Sequence, residues 1–146
     1  MARATNRVTI KRPIEDVFAL LTNVENTGKW FPGKVEEHWT SPPPHGVGST
    51  RHAVATMFGR RSENDAVVTE YEPPRRAVMQ ETSPNAPFVV AFTFRQDAGG
   101  TRVEVKSDIG RRGPMRVFGP LVAALYGQAM ARGLTKLKRL MESGAL

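Results

Sequence analysis

Residues Ile10–Gly33 read IKRPIEDVFALLTNVENTGKWFPG, a β-branched strand end that runs straight into a proline-led helix and then into a second, very short one. Pro13 suits the first helical turn, where its missing N–H costs nothing, and Glu15 and Asp16 complement the positive end of the helix. Ile14, Val17, Phe18 and Leu21 follow at i, i+3, i+4 and i+7, so this helix packs by one face. A second helix of about two turns, from about Val24 to Trp30, stops at Phe31-Pro32-Gly33, because proline disfavours helix in the residue before it. Two helices this short cannot form a core of their own. They predict a plug that closes one end of a larger space.

Working outward, Arg7 to Ile10 predicts a first strand after a frayed start. From Val35 the character changes to six strand-like runs: Val35 to Thr40, Thr50 to Phe58, Ser62 to Glu72, Arg76 to Thr82, Phe88 to Gln96 and Thr101 to Ile109. SPPPHGVG, FGRR, EPPRR, SPNAP and DAGG separate them, as expected of an antiparallel meander. Phe88, Val90, Phe92 and Phe94 alternate with Val89, Ala91, Thr93 and Arg95, and Val103 and Val105 oppose Arg102, Glu104 and Lys106. One sheet face is therefore apolar and the other wet. Pro120 is expected to open a helix running to Glu142, about 23 residues and ~35 Å long. Its apolar positions Leu121, Leu125, Met130, Leu134, Leu137 and Met141 predict that it lies across the apolar sheet face. The fold class is α+β: a curved seven-stranded antiparallel sheet, a long C-terminal helix, and two short helices after strand 1.

A chain of 146 residues without repeats or linkers is expected to form a single domain, residues 1–146, large enough to enclose a core or a cavity. The absence of cysteine excludes a disulfide framework and a thiolate metal site. MARATNRVTIKRP lacks an apolar core of signal-peptide length, and no run approaches the roughly 18 apolar residues of a membrane span, so no transmembrane segment is expected and the expected location is cytoplasmic. The net charge of +7 raises nucleic acid or an anionic membrane as partners. The basic residues, however, fall in scattered pairs (Arg60-Arg61, Arg75-Arg76, Arg111-Arg112) beside Gly or Pro, as in exposed turns. No specific nucleic-acid binding is expected, and the charge leaves room only for transient membrane contact.

RPIEDVFALLTNVENTGKWFPG, GVGS opening a strand, VTEYEPPRR, GGTRVEV and LTKLKRLME, in this order and spacing, resemble the polyketide cyclase/dehydrase and START-like lipid-transport superfamily (SRPBCC), which includes the birch-pollen allergen. The resemblance spans about Arg7 to Glu142. It implies the helix-grip fold, with a deep pocket between sheet and C-terminal helix used for lipids, sterols, isoprenoids or polyketides. It does not by itself imply catalysis, because many members only bind or carry ligands.

Residue chemistry narrows the choice. His38, His45 and His52 lie on two strands and the loop between them without a carboxylate at helical spacing, so no metal is expected. Gly46-Val47-Gly48 precedes a strand rather than a helix, which argues against a phosphate loop, and no cofactor is expected. There is no Gly-x-Ser-x-Gly elbow. The acid–base candidates are Glu70 and Glu81, whose carboxyls would gain a raised pKa if they faced an apolar pocket, and Tyr126, whose phenol would meet a ligand carbonyl. The plainer alternative makes the two carboxylates solvated or Arg-paired strand residues. Trp30, Trp39, Met57, Tyr71, Met79, Val90, Phe92 and Met130 are candidate pocket walls, equally readable as core anchors. Leu121 and Leu125 join them as the part of the long helix over the wide end of the grip. The expected function is binding or transport of a small hydrophobic ligand, the alternative a cyclase or dehydratase using Glu70, Glu81 or Tyr126 for proton transfer.

Overall fold

The computed structural model describes residues 2–57, 59–82, 88–109 and 115–146. Strand β1 (Ala2–Ile10) leads through Pro13 into α1 (Ile14–Thr22), a 3-10 turn (Val24–Asn26) and α2 (Thr27–Trp30). Then come β2 (Lys34–Trp39), β3 (Thr50–Met57), β4 (Arg60–Glu72), β5 (Arg76–Glu81), β6 (Phe88–Asp97), β7 (Gly100–Ile109) and the long helix α3 (Met115–Glu142). The strands form one antiparallel sheet in the order β1-β7-β6-β5-β4-β3-β2. This is the helix-grip arrangement: the meander curves around α3 and the two short helices fill the gap at the β2 side.

The expected second helix divides into the 3-10 turn and α2, and several strand ends move by one or two residues. Two boundaries differ from expectation by five, residue 2 for 7 and residue 115 for 120. Strand β1 starts at Ala2 rather than Arg7, because it pairs with β7 along its whole length, from Ala2 opposite Ile109 to Ile10 opposite Thr101. Arg3 Nε–Asp108 Oδ1 (2.9 Å) and Arg7 Nε–Glu104 Oε2 (2.7 Å) tie the outer faces of the two strands together. Helix α3 opens at Met115, so Pro120 stands inside it rather than at its first turn. Its ring nitrogen cannot donate to the Arg116 carbonyl, and the helix runs on with that one bond missing.

The core is packed at the β1-β7-β6 end. Phe18 of α1 meets Phe94 edge-on at 5.1 Å and Tyr71 at 5.5 Å. Ile10, Val17, Val103, Val105 and Leu137 are fully buried there, with Leu134 and Met141 of α3 close behind. Thr101 is also fully buried, and its hydroxyl donates to the Arg12 carbonyl at 2.8 Å, so the polar atom is satisfied. Asn6 Nδ2 donates to the Gly127 carbonyl at 3.0 Å and clamps α3 onto β1, an edge strand that would otherwise be open. Gly28 holds the opposite edge: a Cβ there would stand 2.4 Å from the Val35 carbonyl oxygen, so only glycine lets α2 lie this close to β2. Among the described residues no helix is long and apolar enough to cross a membrane.

Candidate functional site

At the β2-β5 end the same two layers do not meet. The inward positions of β3 and β4 are small there, Ala53, Ala55 and Ala66, whereas phenylalanine and valine fill the corresponding positions of β6 and β7. The space left is a cavity of about 370 Å³. Leu21, Val24, Thr27, Trp30 and Phe31 cap it, which is the part the two short helices play. Val122, Tyr126 and Met130 of α3 roof it, and Met79, Val90 and Phe92 form the sheet wall.

A polar group is set into this apolar lining. Cross-strand pairing aligns Arg51 with Ala66 and Ala66 with Glu81, so two charged side chains flank an alanine on one row. Glu37 sits one row away, opposite Ala53. Arg51 Nε lies 3.4 Å from Glu37 Oε2, close enough to pair yet off line for a hydrogen bond. Its Nη1 donates to the side-chain and main-chain oxygens of Asn64, the latter at 3.3 Å. Burial pushes the Glu37 carboxyl above its ordinary range, and the Arg51 charge and Thr27 hydroxyl oppose this without cancelling it. Burial raises Glu81 likewise, again opposed by Arg51. The Tyr126 phenol is raised by burial and further by the charges of Glu37 and Glu81. Ser107, whose hydroxyl approaches without a fully aligned hydrogen bond, and Arg51 pull the phenol the other way. Tyr126 is therefore a donor at any ordinary pH, and the two carboxyls take up protons more readily than free ones.

Of the candidates named from sequence, Trp30, Met79, Val90, Phe92, Met130, Glu81 and Tyr126 line the cavity. Others lie elsewhere. Leu121 and Leu125 are 59% and 38% exposed, because the helix turns Val122, Tyr126 and Met130 inward at a spacing of four and leaves their neighbours outside. Glu70 faces solvent with Arg76 at 3.2 Å. In unbroken alternation with Ala66 and Val68 it would point inward, but the register shifts between Val68 and Glu70, and that bulge reverses the faces. The same reversal sends Tyr71 into the packed core beside Phe18. Trp39 stacks on His45 at 4.1 Å and donates to Asn23 Oδ1 at 3.3 Å, away from the cavity. Met57 ends β3, and its side chain lies outside the described residues.

Glu37, Arg51 and Asn64 were not singled out from sequence. Their signal was parity: Glu37 shares a strand face with Val35, and Arg51 shares one with Ala53 and Ala55. Among the described residues no three His, Asp or Glu side chains gather as a metal site; His52 instead bonds Asp65 at 2.8 Å on the outer sheet face.

Known structures share this fold. TTHA0849 from Thermus thermophilus superposes with a TM-score of 0.81 at 17% identity, over 99% of both chains. NE0264 from Nitrosomonas europaea gives 0.75 at 16% identity, over 99% of this chain and 97% of its own. DynU16, a protein in the dynemicin biosynthetic locus, gives 0.70 at 20% identity, over 99% of this chain and 48% of its own. The chain matches no curated protein sequence. The family model described as polyketide cyclase/dehydrase and lipid transport matches residues 1–142, and the chain belongs to that family.

Proposed function

We propose that the chain binds a small, largely apolar molecule bearing one polar end, of lipid, sterol, isoprenoid or polyketide type, inside the β2-β5 cavity. The observation that carries this is the composition of one cavity: aliphatic and aromatic walls around a single polar group of Glu37, Arg51, Asn64, Glu81 and Tyr126. Apolar burial supplies affinity, and a few placed polar groups supply orientation. Arg51 and Tyr126 offer donors to a carbonyl, carboxylate or hydroxyl oxygen. Native mass spectrometry of the protein as purified tests for a co-purifying ligand. Titration of the stripped protein with an apolar fluorescent dye, beside the cavity-filling Ala55→Leu variant, tests the location. Wild-type dye affinity in Ala55→Leu would overturn the assignment.

The second reading is cyclisation or dehydration of a polyketide-like substrate, favoured by Glu81 and Tyr126 facing the same space with raised proton affinity. Here the Glu81 carboxylate removes a proton from a carbon between two carbonyls, and Tyr126 donates a hydrogen bond to the oxygen that gains charge. Turnover of a poly-β-ketone substrate lost in Glu81→Gln and Tyr126→Phe, with dye affinity kept, is the outcome this reading requires. Absence of turnover in the wild type leaves binding as the function.

A further inference from the structure

The outer face of α3 plays no part in the cavity, and it has an unusual composition. From Met115 to Met141 the chain contains no acidic residue. Leu121, Leu125, Arg132, Lys136 and Arg139 are all exposed and fall within about 60° of one line along the helix, a stripe ~27 Å long. Leu121 is 59% exposed, well beyond what a helix packed by one face requires of a leucine. Arg132, Lys136 and Arg139 line a shallow surface groove with Ala131 and Thr135. Among the described residues none of these three cations has an ion-pair partner, whereas Lys138 on the flank is held by Glu142 at 2.8 Å. Between the leucines and the cations the stripe carries the neutral Gln128.

We propose that this stripe is a docking surface for an anionic lipid bilayer, with α3 lying flat in the interface. Leu121 and Leu125 enter the acyl boundary, and the groove of Arg132, Lys136 and Arg139 receives headgroup phosphates. A bilayer fits both halves of the stripe. A nucleic-acid backbone satisfies the cations but gains nothing from two leucines in line with them. A second copy docked through the same stripe brings no carboxylate to meet the cations and sets like charges together. The same helical turns present Val122 and Tyr126 to the cavity, so a bilayer on this face touches the cavity's own wall. Docking nonetheless stands apart from what the cavity holds, and its test requires no ligand.

The experiment is flotation of the full chain with phosphatidylcholine vesicles, plain or doped with phosphatidylglycerol, at physiological ionic strength. Binding is expected only with the doped vesicles. Each neutralisation of Arg132, Lys136 or Arg139 to Gln is expected to lower partitioning about fivefold. The exposed pair Leu121→Ser/Leu125→Ser should lower it about tenfold or more, with the thermal melt unchanged. Arg75→Gln/Arg95→Gln removes two charges, more than any one of these neutralisations, from exposed sites off this helix and should leave binding intact. Equal loss in that control would assign the effect to net charge and overturn the proposal. Binding that survives the leucine change while duplex DNA competes would make the stripe a general polyanion surface. A dimer in sedimentation that the leucine change dissociates would make it a self-association face. Either result also overturns the proposal.

Discussion

Gly133→Ala probes how firmly the cavity wall is held. Gly133 lies buried in α3 under the Trp30 ring, and an added Cβ would stand 3.0 Å from Trp30 Cε3 and 3.2 Å from Pro32 Cδ. Alanine favours the helix by about 1 kcal/mol over glycine. Overpacking a filled site costs about 1 to 3 kcal/mol, so the net effect is a loss of about 0 to 2 kcal/mol. For a chain of this size that lowers Tm by at most about 8 °C. The small cost has a structural reason: the Trp30 ring lines the cavity and can move into that space instead of straining the core. The displaced ring then takes room from the ligand. We predict that dye affinity falls about tenfold, far more than the stability change suggests, and that Trp30→Phe in the Gly133→Ala background restores part of it. Paired thermal melts and fluorescence titrations decide the matter. Unchanged affinity with a lowered Tm would show that the ring yields in another direction, and a raised Tm would show that the contact does not exist.

Further predictions use stability and pH. Phe92→Ala, which removes a cavity wall, should cost the ligand-free protein about 1 to 2 kcal/mol in denaturant melts, while Leu137→Ala in the filled core should cost about 3 to 5 kcal/mol; equal costs would mean the cavity is not open space. Glu37 and Glu81 have folded pKa values raised above their unfolded ones, so the folded state holds their protons longer and stability falls as pH rises from the ordinary carboxylate range through those raised values. Glu81→Gln should flatten that decline, raising Tm near neutral pH and leaving it unchanged in acid below about pH 4; a parallel shift at both would refute the burial of Glu81. Thr101→Val leaves the Arg12 carbonyl without its buried donor and should cost about 1 to 3 kcal/mol, read by urea midpoint at constant m.

Local patterns carried the fold. The period of two placed Phe88, Val90, Phe92 and Phe94 on one face, the i, i+3, i+4, i+7 stripe built α1, and Phe31-Pro32-Gly33 stopped α2, because each rule concerns only a residue and its chain neighbours. Those rules also mark which strand positions face inward, Glu37 and Arg51 included. They do not say which inward positions meet a partner across the space and which face a void. That depends on the volumes that cross-strand register brings together: Ala53, Ala55 and Ala66 in one region, Phe94, Val103 and Leu137 in another. Register likewise set Arg51 and Glu81 on one row through Ala66, and it let the bulge after Val68 turn Glu70 outward. The rotation of α3, which buries Tyr126 and exposes Leu125, follows from its best fit against β1 and α2, where Gly127 and Gly133 admit close approach. Sequence alone determined the order of the elements and the alternation within each; the faces at the bulge and on α3, the hollow, and the charged groups gathered in it exist only once distant strands and the helix have chosen how to meet, because packing energy is a property of the pair and not of either segment.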